Sequence, residues 1–139
     1  MTSGVETSQR LVWRGGLAFE GEDSWGHGVA ISGDRALAGS KPSDLLVLSL
    51  AGCLAYDVVE VLRKKRQDMQ TLEVVVTSQE AEVSPWQFVR LTLRFEVGGT
   101  VDLAAARRAL ELAEKNCPVL ATITPTVQVE TSIEVTPAP

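Results

Sequence analysis

The chain has 139 residues, 45% hydrophobic and 22% charged, a size and apolar content that suit one folded domain and exclude a disordered chain. Thirteen Lys and Arg against 18 Asp and Glu leave a formal charge of −5, which excludes a general attraction for nucleic acid or an anionic membrane. Two cysteines without zinc-like spacing, and a single His27 with no metal ligands near it in sequence, point to neither a stapled secreted fold nor a metal site. The first ten residues carry no apolar core of a signal peptide, and the most apolar run, 45–56, is short for a bilayer. The expected location is therefore the cytoplasm.

A polar tail, 1–8, comes first. Residues 11–13 and 17–19 flank Gly15-Gly16, and 28–31 precede Gly33-Asp34, so short strands joined by tight turns are predicted. A break over 39–42 leads into a long helix, SDLLVLSLAGCLAYDVVEVLRKKR, with Ser43 or Asp44 available to cap its first turn. Across 45–55 apolar side chains leave almost no polar face, which predicts burial on most sides and, in so small a chain, a partner subunit. The basic run 63–66 reads as a solvated helix end favoured by the helix dipole.

Leu72, Val74 and Val76 alternate with polar residues and predict a strand; Pro85 marks a break. Residues 87–97 alternate cleanly, with Val89, Leu91, Leu93, Phe95 and Val97 on one face and Arg90, Thr92, Arg94 and Glu96 on the other, the pattern of a half-buried antiparallel strand. Gly98-Gly99 is expected to end it. Asp102 is the predicted N-cap of a second helix, 103–115, with Leu103, Ala106, Leu110 and Ala113 inward, and Asn116-Cys117-Pro118 stops it. A last strand spans 127–135, and the Pro-rich end, 136–139, should fray. The order of elements predicts an α+β fold in one domain, 1–139, with helices on antiparallel sheets and no long parallel βαβ series.

Cys53, inside the apolar helix, reads by itself as a small buried hydrophobe. Cys117 follows one helix and precedes Pro118, where a new helical turn could begin, and free N–H groups at such a turn favour a thiolate. The blocks KPSDLLVLSLAGCLAYDVVEVLRKKR and ALELAEKNCPVLATI, in that order, together with WRGG near the start and the final strand, resemble the osmotically induced protein C and organic hydroperoxide resistance superfamily over roughly 11–135. The resemblance implies a domain-swapped homodimer whose sheets enclose central helices, with active sites at the subunit interface. It also implies a peroxidatic Cys53, a resolving Cys117 and thiol-dependent reduction of organic hydroperoxides, assisted by an arginine and a glutamate. The best-characterised enzymes carry that glutamate directly after the proline preceding the helix; here Ser43 holds that position and the acidic residue is Asp44, as in a less-characterised branch. The arginine is Arg14 or Arg35.

In chemical terms the Cys53 thiolate would attack one peroxide oxygen and become a sulfenic acid, and Cys117 would condense with it to a disulfide that an external dithiol reduces. Such chemistry calls for a Cys53 thiol below the ordinary value of about 8.5. No nucleotide, flavin or metal is implied, and the expected partners are a second copy, an organic hydroperoxide and a dithiol reductant, with no nucleic acid and no membrane. Two other classes stay open: an apolar-ligand-binding dimer, and a redox-sensing or structural dimer without efficient turnover.

Overall fold

The computed structural model describes residues 4–137; the first residues of the polar tail and the last two of the Pro-rich end lie outside the described residues. The chain divides into two compact units, Met1–Leu46 and Val47–Pro139, with the boundary inside the first helix.

The N-terminal unit is a three-stranded antiparallel sheet in the order β1 (Arg10–Trp13), β2 (Ala18–Glu22), β3 (Gly28–Ser32). The glycine turns do what the sequence asks of them: Gly15 and Gly16 both take positive φ between β1 and β2, and Trp13 closes that turn by donating its indole N–H to the Gly16 carbonyl at 2.9 Å. Between β2 and β3 the Asp23 carboxylate accepts from the backbone N–H groups of Trp25 and His27 at 2.9 and 2.8 Å. These bonds, the His27 one foremost, hold its carboxyl below the usual carboxylate range. The loop after β3 is tied down by Ser32, whose buried hydroxyl donates to the Asp34 carbonyl and accepts from the Asp34 N–H, both at 2.9 Å.

The long helix α1 spans Pro42–Lys64. It ends in a Schellman arrangement: Gln67 N–H donates to the Leu62 carbonyl and Arg66 N–H to the Arg63 carbonyl, both at 3.0 Å, with Arg66 at φ 56 where glycine is usual. The basic run is exposed, as its sequence suggested. By length and composition α1 could cross a membrane, which the shorter apolar run read from sequence did not convey. In the second unit it serves as a core helix, because Leu50, Leu54, Val58 and Leu62 are fully buried on one stripe.

That stripe packs in one hydrophobic cluster with β4 (Asp68–Glu80), β5 (Phe88–Thr100), α2 (Leu103–Asn116), α3 (Pro118–Ile123) and β6 (Gln128–Thr136). The alternation read in β5 holds for its centre: Leu91, Leu93, Phe95 and Val97 are fully buried, and each large apolar side chain so placed contributes about 1.5–3 kcal/mol. Val89 is exposed instead. Asp102 caps α2 by accepting from Ala104 N–H, and Ala106, Ala109, Leu110 and Ala113 form the buried stripe, while Leu103 is exposed.

Two expectations are corrected. The sheet is mixed: β4 pairs antiparallel with β5, but β6 runs parallel to β5, from Arg90 opposite Gln128 to Gly98 opposite Thr136. The α2–α3 segment makes the crossover that a parallel pair requires. The one-sided burial of β5 produces the same alternation an antiparallel strand would show, so periodicity could not tell the two apart. Second, β5 continues through Gly98-Gly99 to Thr100. A register shift opposite Met69 and Thr71 absorbs the irregularity, and Gly99 takes φ 133 with its Cα face against the Asp68 carbonyl and the Gln70 nitrogen, where a side chain has no room.

Candidate active site

The site is built where two helices meet end to end. Asn116 terminates α2, its side-chain amide donating back to the Leu112 carbonyl at 2.9 Å. Cys117 then adopts an extended conformation, φ −87 and ψ 112, and is at once the C-cap of α2 and the N-cap of α3, with Pro118 in the first turn as its fixed φ allows. The Cys117 sulfur accepts the Leu120 N–H at 3.3 Å, so the new helical turn expected after Asn-Cys-Pro is present and its cap is a thiol. Cys117 is 2% exposed.

Cys53 lies in α1 between the buried Leu50 and Leu54, and is itself half-buried. The two sulfurs, 64 residues apart in sequence, are 2.8 Å apart, within hydrogen-bonding reach. Both are free thiols. Closing this contact to the S–S bond length of about 2.05 Å needs the sulfurs to approach by under about an ångström.

The electrostatics around Cys53 are mixed. Burial first, then the adjacent Cys117 sulfur, push its thiol up from 9.0 to about 11, and Asp57, one turn further along α1, acts in the same direction. The Val119 N–H at the start of α3 acts the other way. The expectation of a Cys53 thiol below its ordinary value is therefore corrected for this chain: desolvation outweighs the amide of α3.

The other three residues singled out in sequence belong to the N-terminal unit. Arg14 is exposed at the β1–β2 turn, where its backbone N–H donates to the Ala18 carbonyl at 2.8 Å. Arg35 and Asp44 line one cavity of about 410 Å³ together with Lys41 and the Ser32–Asp34 loop. Within the C-terminal unit the structure brings the two cysteines together, and within the N-terminal unit it brings Arg35 and Asp44 to one cavity. Sequence reasoning missed Lys41 and Asp57, whereas the α3 amides facing the sulfurs are those of the helical turn it expected after Cys117. Asp57 had a legible signal, its i,i+4 spacing from Cys53 on a helix. His27 is exposed, with its ring 4.0 Å from the Asp23 carboxylate and edge-on to Trp25. Among the described residues no group of three or more potential metal ligands is assembled.

Known proteins share this arrangement of chain. Protein YhfA of Escherichia coli (strain K12) is 38% identical over 132 residues, spanning 93% of this chain and 98% of its own. A hypothetical protein from Aquifex aeolicus VF5 has the same fold at a TM-score of 0.87 and 23% identity, over 98% of this chain and 100% of that one. The organic hydroperoxide resistance protein OhrB of Bacillus subtilis matches at a TM-score of 0.63 and 19% identity, over 94% of this chain and 98% of its own. A family model described as OsmC-like protein matches residues 33–132. The fold, the order of its elements and the matched sequence together make this chain a member of the OsmC-like protein family.

Proposed function

We propose that this protein is a thiol-dependent peroxidase that reduces organic hydroperoxides. The observation that carries the reading is the contact of the Cys53 and Cys117 sulfurs at 2.8 Å, in a family whose fold is shared by an organic hydroperoxide resistance protein. Cys53 is the attacking thiol because it is the more accessible of the two. Its thiolate takes one oxygen from the hydroperoxide to give a sulfenic acid, and Cys117 condenses with that acid to form the disulfide. An external dithiol restores the reduced pair. Arg35 or Arg14 supplies positive charge to the thiolate and the leaving oxygen, and Asp44 orients that arginine in place of the family's glutamate.

The working form in this reading is a cytoplasmic, domain-swapped homodimer. Leu48, Gly52 and Tyr56 recur at every fourth position of α1 and are all exposed, an apolar stripe that a second copy would cover. Neither nucleic acid nor membrane is a partner, and the acidic balance of the chain supports that.

Intact-mass spectrometry after one equivalent of an organic hydroperoxide tests the reading. Wild type should lose the mass of two hydrogens, Cys117→Ser should gain one oxygen at Cys53, and Cys53→Ser should gain none. A Cys53→Ser protein that consumes hydroperoxide normally would reverse the roles. The raised Cys53 thiol favours a second reading, a redox-sensing or apolar-ligand-binding dimer without efficient turnover. Multiple turnovers with a dithiol reductant separate the two: a wild type that reacts once and never cycles fits the second.

A further inference from the structure

The chemistry open to the cysteine pair is not limited to oxidation. Cys53 and Cys117 are both free thiols in contact at 2.8 Å, and they are the only two cysteines of the chain. Cys117 is 2% exposed and Cys53 half-buried, so Cys53 is the point of entry and Cys117 the second anchor. Burial of this degree opposes a lasting thiolate and favours a partner that leaves both sulfurs covalently bound and neutral. The apolar setting works the same way: Leu50 and Leu54 lie beside Cys53 in α1, and Val119 and Leu120, partly buried in the same cluster, follow Cys117 in α3. Geometry narrows the partner further. A tetrahedral ion bound at about 2.3 Å spreads two sulfurs to about 3.8 Å and asks for two more ligands; a linear two-coordinate ion spreads them further still. Among the described residues no group of three or more potential metal ligands is assembled around the pair. Trivalent arsenic has pyramidal, nearly right-angled valences, so it holds two sulfurs closer together than either ion, and the product carries no net charge.

We propose that the Cys53–Cys117 pair is a binding site for monosubstituted trivalent arsenicals, RAs(OH)2, independently of the peroxidase reading above. In the binding step the two As–O bonds and the two S–H bonds break, two As–S bonds form, and two molecules of water leave. Arsenic stays trivalent and both sulfurs keep the oxidation level of a thiol, so the step needs no oxidant or reductant. The Cys53 sulfur displaces the first hydroxyl. The Cys117 sulfur, already in contact with Cys53, displaces the second within the same complex, which is where the pair gains over a single thiol. The two exchangeable positions of such an arsenical match the two thiols with none left over, and its organic group suits the apolar surroundings. Arsenite itself, with three exchangeable positions, would keep one hydroxyl there.

The probes are phenylarsine oxide, which hydrates to an arsenical with two exchangeable positions, and dimethylarsinous acid, which has one. Intact-mass spectrometry and titration of free thiols on the reduced full chain read the adducts. Wild type should take up one phenylarsenic group with loss of two hydrogens and lose both free thiols. It should bind phenylarsine oxide at least about a hundredfold more tightly than dimethylarsinous acid. Cys53→Ser and Cys117→Ser should each abolish that preference, leaving binding through one thiol. Wild type oxidised with diamide to the Cys53–Cys117 disulfide should bind neither probe, and this arm carries the test without a substitution if a variant does not fold. An excess of dimercaptopropanol, a dithiol, should strip the phenylarsenic group, while glutathione at the same concentration should not. Equal wild-type affinity for the two probes, or an adduct that keeps a free thiol, would show that the sulfurs do not act together and would overturn the proposal. A tight phenylarsenic adduct that survives Cys117→Ser would overturn it as well, since the second anchor would lie elsewhere. No peroxide enters these measurements, so their failure leaves the peroxidase reading standing.

Discussion

In the C-terminal unit, Leu50, Leu54, Val58, Leu93 and Phe95 are fully buried in one cluster; in the N-terminal unit, Leu11, Trp13, Leu17 and Trp25 are each more than half exposed. The two regions differ in whether the folded chain covers their large apolar side chains. A small three-stranded sheet with bare tryptophans does not close a core of its own, whereas the mixed sheet with three helices does. Stability should therefore reside in the second unit, and the apolar surface of the first is what a second copy of the chain would cover in the proposed dimer.

The largest expected effect separates the regions directly. Phe95→Ala should cost about 3–5 kcal/mol in urea unfolding, because it empties a fully buried site. Trp13→Ala should cost under about 0.5 kcal/mol in dilute monomer, where the ring is exposed. Equal costs at low concentration would break the comparison. If the loss at Trp13 appears only as protein concentration rises, the N-terminal surface is covered by association, and sedimentation should show the dimer weakening in parallel.

A smaller effect reports on the site. The folded chain holds the Cys53 proton more tightly than the unfolded chain does, with the thiol at about 11 instead of 9.0. Its contribution to stability is complete below about pH 9 and is lost as pH rises through 11. The stability difference between wild type and Cys53→Ser should accordingly shrink over that window and be flat below it. Asp57→Asn removes a charge that opposes the thiolate, so alkylation of Cys53 by iodoacetamide at pH 8 should speed up several-fold. An unchanged alkylation rate would remove Asp57 from the account of the site.

The smallest effect, at Gly52, sharpens the comparison within α1. A Cβ at this exposed helical position meets nothing within 4 Å. Gly52→Ala should stabilise dilute monomer by about 0.5–1 kcal/mol, the ordinary gain from replacing glycine inside a helix. In the proposed dimer the same methyl group would intrude on a packed helix surface and raise the dissociation constant. A stabilisation independent of concentration would show that this stripe is solvent-facing in solution as well.

Much of the chain was readable from its own residues. The three N-terminal strands fall at the apolar pairs between glycine turns, α1 at its long apolar run, and α2 directly behind its Asp102 cap. The helical turn after Cys117 is where Pro118 allows one. These features share a cause: each depends on side chains within a few residues of one another, acting through periodicity, capping or permitted φ. The resemblance of the two cysteine-bearing blocks pointed to the family because it used residues at a distance jointly.

What only the tertiary structure decided was set by contacts the local pattern does not contain. The parallel pairing of β5 and β6 was hidden because one-sided burial produces the same alternation in either direction. β5 runs on through Gly98-Gly99 because a shift in its partner strand makes room for it there. The meeting of two sulfurs 64 residues apart, and the upward shift of one of them, depend on how α1 and α3 share the core. By itself the sequence determined which segments become helix and strand, since that is short-range physics; which strand pairs with which, which thiol touches which, and how strongly burial opposes a thiolate are long-range consequences of packing, and only the folded chain could decide them.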